Sequence, residues 1–347
     1  MSPAKGTIVV TGANGGLGSA ISKQIAQSTE LSEHHGVFIV RNSQTATTLN
    51  GILAKAKPNF NHDVVSIDLS SLASVRAGAK TINTRVANGS LPPIRALILS
   101  AGWQELETQT FTDDGYDMTF QVNYLSHFLL VLLLLQSLDK ENGRIVIVSG
   151  MNHDTTDKRM DGTGIYKEEK WQTLYTTTEA LAKGTWSTPA DDPSSKSGQR
   201  RYGAAHLLEV MFMRELQKRL NADPVLSKIG VLGLDPGAMP TDICRREGFL
   251  IRVIAMKVIM PLFAPISDMT QTNGFLRTTS KSASDALRLA FDTETLGEHP
   301  KDVFVNGTEP WPVSKEAQSE KNLETLWKDS LVYAKVEEGE TALVNWK

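Results

Sequence analysis

The 347-residue sequence contains a single cysteine, Cys244, which excludes an internal disulfide and a cysteine-based metal cluster. This scarcity suits a reducing compartment, and we expect a cytoplasmic protein with no metal site. Neither sign of charge is in large excess, because 36 lysines and arginines are balanced by 39 aspartates and glutamates. With a net charge of −3 and no basic cluster, the chain is not expected to bind nucleic acid.

Long apolar runs are scarce as well. Residues 128–135 (F-L-L-V-L-L-L-L) are too few to span a bilayer, and we predict that they form a buried helix. A second apolar stretch, residues 249–263, is interrupted by Arg252 and Lys257. The first predicted strand begins by Thr7, which leaves no room for a secretory signal ahead of it.

Against this background, a glycine-rich turn near the amino terminus is the most informative stretch. Residues 8–10 are β-branched and predict a buried strand, and Gly12, Gly16 and Gly18 follow at once. Residues 19–26 then have helical spacing. In the order strand, glycine turn and helix, backbone N–H groups can contact a pyrophosphate at the positive end of the helix. The alternative is an ordinary turn with no ligand.

The letters of this turn, T-G-A-N-G-G-L-G over residues 11–18, resemble the short-chain dehydrogenase/reductase family. The resemblance covers most of residues 7–335 and implies an α/β Rossmann-type fold, a doubly wound parallel sheet of seven strands flanked by helices. It implies one domain over residues 1–347, with an insertion at 151–201, a substrate-binding segment at 240–280 and a helical tail at 314–347. The cofactor-binding residues that it implies in the turn are Gly12, Asn14, Gly16, Leu17 and Gly18.

Further cofactor contacts are expected where the predicted strands end. Arg41 follows the second strand, where a guanidinium suits a 2′-phosphate and favours NADP(H) over NAD, unless Arg41 is merely a solvated surface residue. The family resemblance adds Asp68 and Leu69 near the adenine ring. It also adds two loops, which comprise Ser100, Ala101, Gly102, Pro236, Gly237, Met239 and Thr241. Ser100 stands where the family has asparagine.

Two catalytic positions follow from the same resemblance. Asn123 lies in a long apolar helix predicted over residues 115–137, where it must find hydrogen-bond partners unless it faces solvent. The family's active-site asparagine holds a water and a backbone carbonyl. Ser149 ends the fifth predicted strand, where open parallel sheets bind ligands, and matches the serine that hydrogen-bonds the substrate carbonyl.

Two tyrosines compete for the family's Tyr-x-x-x-Lys motif. Tyr166 and Lys170 have the right letters, but they lie in a weakly helical region with no strand at a suitable distance after it. Tyr202 begins a strongly apolar helix that leads into the sixth predicted strand and its Pro-Gly exit, which is the family's order. We therefore assign the catalytic role to Tyr202.

This assignment places His206 at the lysine position. In the family, the lysine binds the nicotinamide ribose and lowers the tyrosine pKa, whereas a histidine is mostly neutral at pH 7 and has a shorter reach. His206 therefore indicates either a weakened reductase or altered chemistry, such as a slow reduction or a non-redox step. The sequence leaves these readings open.

The expected substrate is a bulky apolar ketone or aldehyde. Residues 249–263 and the ending at 314–327 resemble retinol dehydrogenase-like fungal members, several of which serve secondary metabolism. We expect residues 249–263 to form an apolar lid that covers the pocket, in preference to a surface that contacts a membrane. Dimerisation is common in the family, but the insertion could block it. The leading hypothesis is an NADPH-dependent reductase. The alternatives are a non-redox cyclase or isomerase, and a binding protein that retains the nucleotide pocket.

Overall fold

An eight-stranded sheet forms the centre of the computed structural model, which describes residues 4–347 apart from the side chain of Ile251. The strands are β1 (Thr7–Thr11), β2 (His35–Val40), β3 (His62–Ser66), β4 (Ile94–Leu99), β5 (Arg144–Val148), β6 (Gly230–Asp235), β7 (Val303–Asn306) and β8 (Glu309–Pro310). Their spatial order is β3-β2-β1-β4-β5-β6-β7-β8. Strands β1 to β7 are parallel, and β8 pairs antiparallel with β7. The predicted doubly wound sheet is confirmed, with β8 as a short addition at its edge.

Helices cover both faces of this sheet. The α-helices are α1 (Gly16–Gln27), α2 (Thr47–Leu53), α3 (Leu72–Ala87), α4 (Met118–Phe120), α5 (Ser126–Leu134), α6 (Thr178–Ala182), α7 (Lys196–Asn221), α8 (Met260–Thr270), α9 (Thr279–Phe291) and α10 (Glu320–Tyr333). One apolar core lies beneath α3, α5, α7 and α10, and a second lies beneath α1 and α9. Because both faces are covered, consecutive residues of β1 are apolar and fully buried.

Segments of π-helix and 3₁₀-helix are the remaining helical elements. Two segments have π-helical turns: Gln121–Leu125 joins α4 to α5, and Leu250–Ile259 precedes α8. Short 3₁₀ turns occur at Leu31–Glu33, Ser43–Thr45, Leu135–Ser137, Met151–His153, Lys158–Thr163, Glu169–Trp171, Asp242–Cys244 and Glu316–Gln318. The helix predicted over residues 115–137 therefore begins at Met118 and contains a π turn around Asn123.

The predicted insertion packs into the protein body more firmly than its polar composition suggests. Its few large apolar side chains, among them Ile165, Trp171 and Trp186, are buried and belong to the core beneath α7. The Arg200 guanidinium stacks 4.1 Å from the centre of the Trp171 ring. Helix α7 begins at Lys196, so the prediction that the helix starts at Tyr202 was wrong. The first residues of α7 are polar, which hid the true start of the helix.

Two helical stretches are long and apolar enough to cross a membrane by length and composition. Met118–Ser137 is 94% buried within the protein, whereas Arg252–Thr270 is only 6% buried. The first is a core helix, in agreement with the buried helix expected at residues 128–135. In the second, apolar side chains such as Leu262 and Met269 are exposed on the outer surface.

Candidate active site

The glycine turn after β1 brings two strand ends into close contact. Gly12 has a left-handed backbone (φ +68°), and a Cβ there would lie 2.7 Å from the Cα of Ala101. A Cβ on Gly18 would lie 2.2 Å from the carbonyl oxygen of Gly12. Only glycine satisfies both constraints without moving the backbone. The loops after β1 and β4 are thereby held together at the carboxyl edge of the sheet.

This turn fits a dinucleotide pyrophosphate. Helix α1 begins at Gly16, so the first N–H groups of the helix have no helical acceptor and point toward the crevice. Across the crevice, the Thr241 side chain lies against Gly16, 2.5 Å from the position that a Cβ would occupy. Leu17 is buried beneath the turn, and Asn14 Oδ1 accepts a hydrogen bond from Leu49 N at 3.0 Å. Asn14 therefore joins the glycine turn to helix α2.

Arg41 and Asp68 follow the ends of β2 and β3, at the edge of the crevice that is predicted to hold the adenosine. Arg41 is exposed at the end of β2, and its charge adds to burial in lowering the pKa of Arg245 and Arg246. Three guanidinium groups thus lie near one another, which favours an anionic ligand. Asp68 Oδ1 accepts hydrogen bonds from the N and Oγ of Ser70, at 2.9 and 2.7 Å.

A buried chain of hydrogen bonds links the loop after β4 to the helix that carries Asn123. Ser100 N and Ala101 N both donate to Thr11 Oγ1, at 3.0 and 3.1 Å. His127 Nε2 lies 3.0 Å from the same oxygen, and His127 Nδ1 lies 2.9 Å from the Asn123 carbonyl oxygen. Since Thr11 Oγ1 already accepts twice, it donates to Nε2, and Nδ1–H donates to Asn123.

The Asn123 side chain holds the loop that continues past Gly102. Its Oδ1 accepts from Trp103 N at 2.6 Å, and its Nδ2 donates to Trp103 O at 3.0 Å. Asn123 is buried, so the expectation that it must find partners is met, and the solvent-facing alternative was wrong. Its contacts are structural in this state, because they fix the strand-exit loop beside the crevice.

Ser149, Tyr202 and His206 lie together where β5 ends against α7. Ser149 Oγ lies 3.2 Å from His206 Nδ1 and 3.1 Å from the His206 carbonyl oxygen. The Tyr202 and His206 rings pack edge to face with centroids 4.3 Å apart. A Cβ on Gly150 would lie 2.8 Å from His206 Nδ1, so the glycine after Ser149 makes room for the imidazole.

Electrostatics at this cluster differ from those expected with a lysine. Burial, with a smaller effect from neighbouring His153, lowers the pKa of His206 to about 3. Burial also raises the pKa of Tyr202, and the acidic groups Glu209 and Cys244 add to that rise. The imidazole is therefore neutral at pH 7, and Tyr202 remains a phenol. Its hydroxyl makes no hydrogen bond with any residue that the structure describes.

Glu209 completes this cluster and was not found from the sequence. It lies one turn beyond His206 on α7, with Oε2 3.7 Å from His206 Nδ1, and its carboxyl group is buried. Burial raises the pKa of Glu209 well above its usual range, against a smaller opposing effect from the Ser149 hydroxyl. The available signal was a lone acidic residue in the apolar run that follows Tyr202.

The Pro236-Gly237 loop is fixed by buried charges. Asp235 is fully buried at the end of β6, and its carboxylate pairs with Arg159 Nη1 at 2.8 Å. Arg277 Nη1 donates to the Asp235 carbonyl oxygen at 3.0 Å. Gly237 has φ +69°, and a Cβ there would lie 3.0 Å from the Phe275 carbonyl oxygen. Arg159 belongs to the insertion, so the insertion directly braces this loop.

The other residues of the loop lie along the same crevice. Met239 is half-buried against the core beneath α1, and Thr241 Oγ1 accepts from Ile243 N at 3.4 Å, which caps the next helical turn. The side chain of Ile243 in turn reaches Gly102, 3.5 Å from the place of a Cβ.

Tyr166 and Lys170 do not occupy the site. The Tyr166 hydroxyl donates to the Asn152 carbonyl oxygen at 3.0 Å and packs against Gly203 on α7. Lys170 is on the surface, 3.3 Å from Glu168. The Tyr166 hydroxyl is thus held by a backbone carbonyl, and Lys170 pairs with Glu168 instead of supporting Tyr166.

Comparisons with known proteins agree with this architecture. The family profile described as short chain dehydrogenase matches residues 6–171. The short-chain dehydrogenase iccH of Talaromyces variabilis is 47% identical over 363 aligned positions, which cover 99% of each chain.

Solved structures show the same fold at low sequence identity. An NADPH-bound carbonyl reductase from chicken fatty liver superposes with a TM-score of 0.55 at 18% identity, covering 88% of this chain and 94% of that one. The angucycline C-6 ketoreductase LanV with bound NADP gives a TM-score of 0.54 at 16% identity, covering 87% and 94%.

Proposed function

Since the chain belongs to the short-chain dehydrogenase/reductase family of oxidoreductases, we propose that it is an NADPH-dependent reductase of a carbonyl group on a bulky apolar small molecule. The observation that carries the proposal is the Tyr202 hydroxyl, which has no partner among the described residues and stands on α7 beside Ser149. A phenol in that place is available to a ligand in the crevice. When bound, NADPH supplies a hydride to the carbonyl carbon.

The choice of NADPH is supported by the charges at the adenosine end. Arg41, Arg245 and Arg246 together would hold a 2′-phosphate, and no acidic residue follows β2 to select a 2′-hydroxyl. The glycine turn and the first N–H groups of α1 would hold the pyrophosphate. Two of the structural neighbours also carry NADPH or NADP.

Tyr202 acts as the general acid in this proposal. It donates its proton to the oxygen that becomes negative as the carbonyl is reduced, and Ser149 and the neutral His206 orient the reacting groups. A phenol whose pKa is raised by burial keeps its proton across the physiological range, so it is always ready for reduction. The reverse reaction needs a phenolate, and we therefore propose that oxidation of the alcohol requires a higher pH than reduction of the carbonyl.

To orient the reacting groups, the Ser149 side chain must change its rotamer. Its hydroxyl is directed at His206 and is almost completely buried. A rotation about the Cα–Cβ bond would release it toward Tyr202, at the cost of about 1 kcal/mol for the lost hydrogen bond. Substrate binding would supply the replacement bond.

An apolar substrate is supported by the surroundings of the cleft. Trp103 stacks 3.2 Å from the Arg246 guanidinium beside the loop that Asn123 holds, and the apolar segment Leu250–Ile259 follows directly. We also propose a place in fungal secondary metabolism, on the resemblance of residues 249–263 and 314–327, and the relative at 47% identity comes from the fungus Talaromyces variabilis.

The test is NADPH oxidation with a panel of hydrophobic ketones and aldehydes between pH 5 and 8. Tyr202→Phe should lower kcat by about 10²- to 10⁴-fold, the usual contribution of a general acid. Tyr166→Phe is the matched control and should retain activity, because that hydroxyl only bonds Asn152. If no compound is turned over at any pH in this range, the proposal is wrong.

A second candidate is a non-redox cyclase or isomerase on the same site. It is favoured by one observation, namely that His206 is neutral and so gives Tyr202 no cationic support. In that case Tyr202 and His206 would be acid and base. A product of unchanged oxidation state, formed without NADPH consumption and lost in Tyr202→Phe, would select this candidate.

A further inference from the structure

We propose that Glu209 is a positioning residue that donates a hydrogen bond to His206 Nδ1 and thereby holds the imidazole with its proton on Nε2. The inference rests on the proposed function, because it concerns how His206 serves the Tyr202 site in place of a lysine. It names a role for a buried acid that neither the family motif nor the spacing of the catalytic residues requires.

The geometry places Glu209 in the right position. Tyr202, His206 and Glu209 are spaced four and three residues apart on α7, so their side chains share one face of the helix. Glu209 Oε2 lies 3.7 Å from His206 Nδ1, and both side chains are only 7% exposed. Glu209 Oε2 has no hydrogen-bond partner in the described part of the chain. A change in the side-chain torsions of Glu209 or His206 must shorten this separation before the hydrogen bond forms.

The groups around Glu209 favour its protonated form. Those that face the pair are Ser149 at the end of β5, His153 in the turn after it, and Tyr202 on α7 itself. None of them is a cation at neutral pH, since burial lowers the pKa of His153 as well. An unpaired carboxylate in this place would be very costly, so Glu209 keeps its proton and can donate it.

Counting donors and acceptors then fixes the tautomer. The Ser149 hydroxyl has one proton, which it donates to the His206 carbonyl oxygen at 3.1 Å. If His206 carried its proton on Nδ1, the imidazole and the Glu209 carboxyl group would both have to donate to the Ser149 hydroxyl oxygen, and Glu209 Oε2 would keep no partner. With Nδ1 as the acceptor, Glu209, Ser149 and His206 are all satisfied. The remaining imidazole proton is then on Nε2, which makes that nitrogen a donor.

This arrangement supplies part of what a lysine would supply. When Tyr202 gives its proton to substrate, the Glu209 proton can move to His206 Nδ1, which leaves a carboxylate and an imidazolium. The total charge of the pair is unchanged, but a positive ring now lies beside the new phenolate, with ring centroids 4.3 Å apart. After Tyr202 takes a proton from solvent, the proton on Nδ1 returns to Glu209.

The tautomer can be measured directly in the full-length protein. Ring ¹⁵N chemical shifts of histidine-labelled protein distinguish an Nδ1–H from an Nε2–H imidazole, and His206→Gln identifies the signal. We expect the wild-type His206 to be the Nε2–H form and to stay neutral from pH 8 to pH 5. Glu209→Gln retains a donor and should keep this tautomer, whereas Glu209→Leu should move the proton to Nδ1, where it bonds Ser149.

Activity adds a second measurement. Both Glu209 variants should lower kcat by about 10-fold or more with little change in KM, because both lack the transferable proton. Glu215→Gln is the matched control, since Glu215 is buried on the same helix but pairs with Arg219. It should change neither the His206 signal nor kcat.

Two results would overturn the inference. One is a wild-type His206 with its proton on Nδ1, or protonated on both nitrogens above pH 5. The other is a Glu209→Leu protein whose His206 signal is unchanged. Neither readout depends on finding a substrate, so a protein that reduces no carbonyl could still have the proposed tautomer. Failure of the proposed function is thus distinguishable from failure of this inference.

Discussion

Replacing His206 with lysine tests whether the missing cation limits the reaction. With a pKa of about 3, only about one imidazole in 10⁴ is protonated at pH 7. A lysine ammonium about 4 Å from the phenolate, at an effective dielectric constant of about 20, would stabilise it by about 4 kcal/mol. That energy corresponds to lowering the pKa of Tyr202 by about three, before any opposing effect.

Two effects reduce this figure. Burying an ammonium at this site costs desolvation energy, and Glu209 would ionise and pair with the new lysine. We therefore expect His206→Lys to accelerate NADP⁺-dependent oxidation of the alcohol product at pH 8 by at least about 10-fold. Reduction should gain by a similar factor at the same pH, because both directions pass through the same transition state. The double variant His206→Lys/Glu209→Gln should exceed the single one, since the carboxylate is gone.

The assay is kcat/KM in both directions as a function of pH, with His206→Gln as the neutral control. A large gain for lysine means that the histidine only weakens an ordinary reductase. If lysine and glutamine variants fold, bind NADP(H) and have equal rates in both directions, the electrostatic reasoning is refuted.

Three further predictions concern the cofactor, the insertion and acid stability. Arg41→Gln should weaken NADPH binding by about 10- to 150-fold, the worth of a charged hydrogen bond of about 1.5–3 kcal/mol, and leave NADH binding unchanged in a fluorescence titration. Arg159→Met leaves Asp235 buried without its partner, and should lower the free energy of unfolding in urea by about 3 kcal/mol. Below pH 6.5 His127 and His206 each bind a proton in the unfolded chain but not in the folded protein, because burial lowers the pKa of His127 to about 4 and of His206 to about 3, whereas Glu209, whose pKa is raised, opposes this effect in part. Stability should therefore fall with pH from 6.5 toward 4, by about 1.4 kcal/mol per pH unit for each histidine.

Each of these has a matched control. Lys55→Gln removes an exposed charge near β3 and should not affect NADPH binding. Lys158→Met changes the exposed neighbour of Arg159 and should cost little stability. His206→Gln should remove the contribution of one histidine to the fall in the free energy of unfolding with pH. Equal behaviour of variant and control in any pair would contradict the corresponding assignment.

The sheet was predictable because its signals are local. Apolar β-branched runs, glycine turns and polar strand exits identify strands β1 to β7 and place the residues at their ends. The choice of Tyr202 over Tyr166 also used chain order. In the structure Tyr202 packs on His206, which in turn contacts Ser149, and the catalytic role of Tyr202 stays a prediction.

Other parts depend on contacts that no local pattern reveals. The pairing of Arg159 with Asp235 joins residues far apart in sequence, and Glu209 becomes distinctive only once β5 brings Ser149 to it. The sequence of the insertion has no regular pattern, because its polar residues outnumber the few aromatic side chains that pack it into the core. The partner of the Asn123 side chain is likewise Trp103, which lies 20 residues earlier and which only the folded chain brings to it.

The ion pair between Arg159 and Asp235 has a consequence for engineering this protein. Residues that follow β5 are fastened by it to the segment that follows β6, so neither can be exchanged alone. A chimera that takes this region from a homologue must bring an equivalent cation, or replace Asp235 with a neutral side chain. Libraries that diversify the region should therefore leave position 159 unchanged and vary its exposed neighbours.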